Sequence, residues 1–371
     1  MNETQTLLAE TCNRLFTDLV TPDLLRVAEA GEWPADLWSA LEENGLTRAL
    51  VPEEQGGAGL GWQDVYPILY AAGYHAAPVP LAETIVAGWL LSRAGMEVPE
   101  GVISIAENEF ALKLRGGDGD RRVSGQLEKI PWGESAGHVL AVNGYEKQNQ
   151  FVLVDNSNVT FEPDRNIGRE PRAAARISSA MPAALADVPA ALNFDTIRHV
   201  GALARSVQMA GAISAVLDLC VQYASDRVQF GRPLAKFQAI QHQLAGLAAE
   251  AAAAQIAAQY ACRSVDVSGS TIVAHPAIGV AKIRTGEAAG KAAAIGHQVH
   301  GAIGFTDEHR LHYSTRRLWS WRSEFGAESF WSTCLGETAM TSFANMSAES
   351  EGPALNTSTG ADRFWWMISR P

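Results

Sequence analysis

Apolar residues recur at helical spacing through the first hundred residues of the chain. The repeat appears in two groups, Leu7, Leu8, Leu15, Phe16 and Leu19, and then Leu37, Trp38 and Leu41. Pro34 suits a first helical turn and Gly45 a helix end. Glycine and proline in 51–62 predict a loop. Two more helices are predicted near 62–74 and 82–95, so that residues 1–99 are expected to form a helical domain.

The pattern changes between about residues 100 and 192. Short apolar runs, separated by Gly, Asp and Asn, occur at 102–106, 138–142, 151–154 and 159–161. The clearest separator is the GGDGD segment at 116–120. Runs of this length between turn-forming residues are typical of short strands. We therefore predict an antiparallel β domain over 100–192.

Long helices are predicted again after Asp195. The helical stretches are 195–227, 235–268, 276–300 and 309–343. At 1.5 Å per residue the first two would each span roughly 50 Å. Four long helices with short connections indicate an antiparallel bundle over 193–345. The expected fold is thus α+β and multidomain. A polar tail over 346–371 ends in aromatic residues and is expected to dock on this chain or a partner.

Composition narrows the possible partners and location. The chain has 371 residues, of which 41 are acidic and 29 basic, and its formal net charge is −12. That excess of negative charge disfavours nucleic acid and anionic membranes as partners. The four cysteines form no CxxC pair, so neither a zinc ribbon nor a disulfide framework is expected. The N-terminus lacks signal-peptide features and no membrane span is predicted, so we expect a cytoplasmic protein.

Three candidate motifs predict no chemistry of their own. The GGAGLG segment at 56–61 lacks the preceding strand and the GK[ST] ending of a phosphate loop. His297, His300, His309 and His312 lie close together in sequence, but without an HExxH pattern they do not predict a metal site. No GxSxG occurs, so a hydrolase nucleophile has no support.

Two segments carry a specific resemblance. The first is RVQFGRPLAKFQAIQ at 227–241, between two long helices, and the second is QVHGAIGFTDEH at 298–309. Together with the domain order, they resemble the acyl-CoA dehydrogenase family over about residues 30–345. The resemblance implies a flavoprotein with FAD between the β domain and the bundle. It also implies α,β-dehydrogenation of an acyl-CoA, in which a carboxylate takes the α-proton and the β-hydrogen leaves as hydride to the flavin.

The same resemblance assigns cofactor-binding residues: Arg227, Phe230, Phe237, Gln238, Gln298 and Gly301. Arg227 would contact the FAD diphosphate, for which a guanidinium offers charge and paired donors. Phe230 would lie at the adjacent flavin edge, and Gln298 with Gly301 along the adenosine half. In family dimers these groups reach the FAD held mainly by the neighbouring subunit. The alternative for Arg227 is a cation that complements the dipole of a helix C-terminus.

The chain departs from the family pattern at the position of the catalytic base. The usual glutamate precedes a glycine before the last helix, and here Phe325 occupies that place before Gly326. Glu324, one residue earlier, is our candidate base, with an ordinary solvated surface carboxylate as the alternative. Some family members place the base at the start of the first bundle helix. The register puts Gly201 there, and Asp195 is the nearest acid.

A second departure lies in the β domain. Family members cover the flavin ring with Trp and Thr, whereas the matching positions here are Lys129 and Pro131, with Trp132 one residue further on. Both departures favour a half-site subunit of a heteromeric enzyme of the kind that acts on CoA thioesters of steroid side chains. The alternatives are a self-sufficient dehydrogenase, a base-less flavoprotein of desulfinase or monooxygenase type, and a non-catalytic assembly subunit. A homo- or hetero-tetramer and an electron-transferring flavoprotein are the partners that the resemblance implies.

Overall fold

The computed structural model describes residues 2–107, 112–117, 120–143, 149–193, 195–268 and 276–350, the last nine by backbone alone. Five helices form the N-terminal region: α1 (Glu3–Leu19), α2 (Pro22–Ala30), α3 (Ala35–Glu43), α4 (Trp62–Tyr74) and α5 (Leu81–Arg93). Thr21 caps α2 by accepting a hydrogen bond from the backbone of Leu24, and Gly31 ends it in the left-handed conformation. The segment between α3 and α4 contains only two short 3-10 turns, as the glycines there predicted.

The described residues of the middle region form eight strands: β1 (Ile103–Ile105), β2 (Leu112–Arg115), β3 (Arg122–Pro131), β4 (His138–Asn143), β5 (Gln150–Asp155), β6 (Val159–Glu162), β7 (Arg172–Ala180) and β8 (Ala184–Asp187). They form two four-stranded sheets, ordered β1-β4-β5-β8 and β2-β3-β7-β6. The strands pair antiparallel except β1 and β4, which are parallel. The expectation of a wholly antiparallel domain is therefore wrong at this pair, because the chain crosses to the other sheet between the two strands.

Strand β4 shows how the middle region is held on both faces. Val139 and Ala141 point into a core between the two sheets, whereas Leu140 and Val142 join the helical core. Successive side chains of a strand point to opposite faces, so a strand covered on both sides is apolar throughout. This explains why β4 has a continuous apolar run rather than an alternating one.

The C-terminal region begins with α6 (Thr196–Asp226) and a two-stranded hairpin, β9 (Val228–Gln229) and β10 (Arg232–Pro233). It continues with α7 (Gln238–Ser268), α8 (Pro276–His300), α9 (Leu311–Ser323) and α10 (Glu328–Ser350). The fourth predicted helical stretch, 309–343, is thus two helices, because the chain turns at Phe325 and Gly326, both with positive φ. Helix α10 extends five residues into the predicted tail, and 351–371 lie outside the described residues.

Helix α6 is the central helix of the molecule. It is long and apolar enough to cross a membrane, but 94% of its most apolar window is buried inside the protein, as in a core helix. Two glycines let α4 approach it closely. A Cβ at Gly73 would lie 2.0 Å from the carbonyl oxygen of Gln208, and one at Gly211 would lie 2.1 Å from that of Tyr70. The N-terminal region is therefore packed backbone to backbone on the helix that begins the bundle.

Candidate functional site

The hairpin after α6 presents several of the predicted cofactor residues. Arg227 is the C-cap of α6 and is exposed. Phe230 and Gly231 have φ values of +53° and +79°, the positive pair that a type I′ hairpin turn requires. The turn leaves the Phe230 side chain 91% exposed. This is costly for a phenyl ring in water, so the turn favours a role for Phe230 in contact with a ligand or another chain.

Phe237 and Gln238 lie at the start of α7, next to the hairpin. The Arg232 guanidinium lies 4.2 Å from the centre of the Phe237 ring, and the rings of Phe230 and Phe237 are 6.2 Å apart. No Asp or Glu occurs from 227 to 249, so this part of an acidic protein is locally basic. Arg227 also satisfies the helix-terminus alternative by its position, and that role is compatible with binding an anion.

The two remaining predicted residues lie at the end of α8. Gly301 has a φ of +62° and, with Gln298, lines a cavity of about 470 Å³ that also includes His297, Phe305 and Trp319. Tyr223 near the end of α6 stacks on His300 at 4.6 Å between ring centres, which holds the ends of α6 and α8 together. The predicted residues therefore share one end of the bundle.

We call this surface the nucleotide end; its residues are Arg227, Phe230, Phe237, Gln238, Gln298 and Gly301. An exposed guanidinium suits a diphosphate, and a cavity with an amide and aromatic walls suits an adenosine. This end of the chain thus fits the FAD that the resemblance implies.

The neighbouring histidines have structural roles. His297 shares a hydrogen bond with Thr315 at 3.1 Å and stacks on Phe305. His300 bonds to the carbonyl of Gly296 at 2.8 Å, and burial lowers its pKa. In the described part of the chain, no group of three or more His, Cys, Asp or Glu could hold a metal ion.

A second cavity, of about 640 Å³, lies between the β sheets and the bundle. We call it the interdomain cleft. Among the described residues, its lining includes four acidic and four basic side chains and no aromatic one: Glu107, Glu128, Lys129, Pro131, Asp164, Arg165, Asn166, Ile167, Arg172, Arg198, Ser320, Ser323 and Glu324. Lys129 and Pro131 thus lie where the resemblance expects a Trp and a Thr. The lining offers no aromatic face to a flavin ring, so the cleft does not fit an isoalloxazine as the family binds it.

Trp132 does not fill that gap. Its side chain is 4% exposed and the guanidinium of Arg172 lies 5.1 Å from its ring centre. Its φ of +48° turns the chain out of β3 and into the short 3-10 turn that follows. The indole is therefore part of the protein interior and does not line the cleft.

Phe325 occupies the first of the two base positions that the resemblance predicts. It is 5% exposed, and a Cβ at Gly201, the second base position, would lie 2.5 Å from its ring. The phenyl ring thus fills the space that a side chain at 201 would need. Asp195, the acid immediately before α6, forms an ion pair with Arg198 at 2.8 Å. The two base positions are neighbours in space, and neither has a carboxylate.

Glu324 is held by guanidinium groups on two other elements. Arg172 of β7 lies 2.8 Å from one carboxylate oxygen and Arg205 of α6 lies 2.8 Å from the other. Burial alone would raise the pKa of this carboxyl, but the two guanidinium charges outweigh it and lower the pKa to about 2. The alternative of a solvated surface glutamate is wrong, since the side chain is 19% exposed. A role for Glu324 as base stays a prediction, and the geometry favours a structural role.

The ion pairs continue on both sides of Glu324. Six charges alternate in sign, in the order Glu83, Arg205, Glu324, Arg172, Glu170 and Arg317. We call these six residues the charge chain. In addition to its ion pairs, Glu170 accepts hydrogen bonds from Asn166 at 2.8 Å and from the Trp321 indole at 2.9 Å. Five of the six side chains are at most 5% exposed.

The turn that contains Glu324 and Phe325 is also fixed from the other side. Lys282 of α8 is 1% exposed and its Nζ donates to the carbonyl oxygens of Arg322 and Gly326, each at 2.8 Å. Burial lowers the pKa of this lysine to about 8. The Trp331 indole donates to the Phe325 carbonyl at 3.0 Å. The backbone of the turn therefore has partners for carbonyls that the end of α9 leaves free.

Sequence reasoning missed most of the charge chain. Glu83 lies in the apolar run LAETIVAGWLL and Arg205 in VGALARSVQMAG. Charged residues within such runs are a detectable signal, because burial of a charge requires a partner. The sequence does not show which partner each one has.

Comparisons with known proteins agree with the motifs. The family description "Acyl-CoA dehydrogenase, N-terminal domain" matches residues 2–98, and "Acyl-CoA dehydrogenase, C-terminal domain" matches residues 197–327. Acyl-CoA dehydrogenase IpdE2 of Mycobacterium tuberculosis is 29% identical over 320 residues, which are 85% of this chain and 91% of that protein.

Two solved structures are similar over nearly the whole chain. A variant of the Tcur3481-Tcur3483 steroid ACAD has a TM-score of 0.83 at 27% identity, covering 92% of this chain and 99% of that one. The ChsE4-ChsE5 complex of Mycobacterium tuberculosis has a TM-score of 0.82 at 20% identity, covering 95% and 99%. These likenesses agree with the helix, sheet and helix order described above.

Proposed function

Because the chain belongs to the acyl-CoA dehydrogenase family, we propose that it is one subunit of a heteromeric dehydrogenase for CoA thioesters of steroid side chains. The family consists of FAD-binding oxidoreductases that act on CH–CH bonds. In this proposal the chain supplies its nucleotide end to an FAD held mainly by a related partner chain. The partner supplies the carboxylate base and the cover of the flavin ring.

One observation carries the proposal. Phe325 occupies one of the two positions at which the family places its base. Its ring also fills the space that a side chain at the other position, Gly201, would need. The adjacent carboxylate, Glu324, is bonded to Arg172 and Arg205 and has a pKa of about 2. A general base works best with a pKa near the working pH, and a carboxylate held by two cations is a weak one. The nucleotide end, by contrast, is exposed and intact.

The residues of the chain have defined roles in this assembly. Arg227 would bind the FAD diphosphate through its guanidinium, and the amide of Gln298 with the backbone of Gly301 would contact the adenosine. Phe230, on its tight turn, would exclude water at the edge of the cofactor. The chemistry that a bound FAD would supply here is acceptance of the hydride from the β-carbon of the thioester. The partner's base takes the α-proton, and an electron-transferring flavoprotein is the proposed electron acceptor.

The relatives support the heteromeric form. The chain resembles a two-protein complex, ChsE4-ChsE5, and a two-protein steroid ACAD, Tcur3481-Tcur3483, each over at least 92% of its length. We infer a hetero-tetramer in the cytoplasm from these likenesses, from the family habit and from the sequence.

Flavin stoichiometry tests the proposal. The full chain is purified alone and after co-expression with a related chain that has the base glutamate, and FAD is measured by absorbance against protein. We expect no bound FAD in the isolated chain and one FAD per two chains in the complex. Anaerobic bleaching of the flavin by a steroid side-chain acyl-CoA should occur only in the complex. One FAD per chain in the isolated protein, bleached by an acyl-CoA, would overturn the proposal.

A further inference from the structure

The charge chain connects all three regions of the molecule. Glu83 lies on α5 of the N-terminal region, Arg172 on β7 of the middle region, and Arg205 on α6 of the bundle. Glu324, in the turn after α9, lies between the two arginines. Three of the five ion pairs cross between regions near the interdomain cleft: Glu83 with Arg205, Glu324 with Arg172, and Glu170 with Arg317.

From this arrangement we infer that the charge chain takes the place of a bound flavin as the joint between the three regions. In the family, the cofactor lies between the β domain and the bundle and contacts both. The cleft of this chain does not fit a flavin ring, yet its walls are held together by opposite charges. The inference rests on the proposed function, because it assumes a subunit that holds no flavin of its own.

The burial of the charge chain explains why its six residues act as one unit. Every inner member has an oppositely charged neighbour on each side, and three acidic and three basic groups leave no net charge. The Oε2 atom of Glu170 also accepts hydrogen bonds from Asn166 and Trp321. A buried charge that loses its partner is strongly destabilising, so separating the regions at any of the three links that cross between them is unfavourable. The charge chain thus opposes separation of the three regions even when no ligand is bound.

A second set of contacts closes the same interface. Glu29 of α2 pairs with Arg169, in the loop before β7, and with Arg316 of α9, at 3.2 and 2.5 Å. The backbone N–H of Gly168 donates to Ser320 Oγ of α9 at 2.8 Å. This amide crosses from the middle region to the bundle and is buried, so its exchange with solvent reports on opening of the interface.

Hydrogen exchange of backbone amides measures how readily the interface between the regions opens. The complex with the related partner chain is compared free of FAD and loaded with FAD, and exchange is followed in segment 166–172 of this chain, which contains the Gly168 amide. We expect exchange in this segment to agree within about twofold between the two states. Slowing of tenfold or more on FAD loading would overturn the inference, because the cofactor would then be holding the interface.

Two matched variants sharpen the test. Glu324 and Glu250 are each about one-fifth exposed and each have two cationic partners, but those of Glu250, Arg284 and Lys291, lie within the bundle. We expect Glu324→Gln to speed exchange in 166–172 at least tenfold and Glu250→Gln to change it less than twofold. Equal effects of the two variants would overturn the inference. If Glu324→Gln does not fold, the comparison of the wild-type states still decides.

Failure of the proposed function would look different. An isolated chain that binds one FAD contradicts the half-site role. If exchange in 166–172 is then unchanged by removal of that FAD, the charge chain still holds the three regions together, but it does so beside a flavin and not in its place.

Discussion

Arg227 caps the C-terminal end of α6 and Arg205 lies in the N-terminal half of the same helix, and the two guanidinium groups differ in exposure and in bonding. Arg227 is exposed on a locally basic hairpin, whereas Arg205 is 2% exposed and bonded to two carboxylates. The first guanidinium keeps its donors available for an anion. The second has them taken up by its own protein, although it lies near the cleft where a family member would have its reaction. The comparison shows that charge alone does not mark a binding site. A charged side chain indicates a site when its hydrogen-bond donors are still available to a ligand.

The largest expected effect is on stability at the interdomain cleft. Replacing Arg205 by Met leaves Glu83 and Glu324 buried without a shared partner, and we expect a loss of about 3–5 kcal/mol in the free energy of unfolding. Urea denaturation followed by circular dichroism measures it. Arg26→Met, which removes an exposed pair with Asp23, should cost less than about 1 kcal/mol. A similar cost for both variants would remove the distinction between buried and exposed charge.

The next effect concerns the filled base position. Phe325→Ala removes a ring that packs on Gly201, and we expect a loss of about 3 kcal/mol. Gly201→Ala alone should cost about 1–3 kcal/mol, because its Cβ would lie 2.5 Å from that ring. In the double variant the methyl group enters space that the ring has left. The two costs should therefore not add, as a double-mutant cycle by urea denaturation will show. Additive costs would contradict direct packing between the two sites.

Acid should weaken the cleft in a defined pH range. The folded-state pKa of Glu324 is about 2, below the value of about 4.3 in an unfolded chain. Its contribution, on the order of 3 kcal/mol, is therefore present above about pH 4.3 and is lost as the pH falls towards 2. Unfolding free energies measured between pH 7 and pH 3 should fall in wild type and in Glu250→Gln. In Glu324→Gln the part of the fall below about pH 4.3 should be smaller, and equal slopes would contradict the assignment.

The smallest expected effect is at the nucleotide end and leaves stability unchanged. Arg227→Ala in the heteromeric complex should weaken FAD binding roughly 10- to 150-fold, as expected for loss of a charge-assisted hydrogen bond of about 1.5–3 kcal/mol. Arg26→Ala is the matched exposed control and should leave FAD affinity unchanged. Fluorescence titration of the flavin-free complex gives both constants. Undiminished affinity in Arg227→Ala would mean that this surface does not contact the cofactor.

The order of helices and strands could be predicted because it depends on local pattern. Helix α8 was predicted at 276–300, where it lies, since its proline start and apolar spacing are both local signals. The parallel pairing of β1 with β4 could not be predicted, because pairing direction depends on a crossover between sheets. The apolar pattern alone joined α9 and α10 into one stretch, because a phenylalanine with positive φ gives no sequence signal, although the resemblance placed Gly326 before the last helix.

The site divides in the same way. The nucleotide end is formed by two short segments whose residue types are distinctive, so its members could be named from the sequence. The charge chain brings together residues from 83 to 324, and each ion pair exists only because tertiary packing places the two groups together. Glu324 could be identified as the acid nearest the base position. Its low pKa depends on two arginines that are far from it in sequence.

The alternating order of the charge chain has an evolutionary consequence. Glu324 is shared by two guanidinium groups and Arg172 by two carboxylates, so substitution of one member disturbs both neighbours. Homologous proteins should therefore either keep all six residues of the charge chain or replace several of them within one lineage. Exposed residues such as Arg26 can be substituted one at a time.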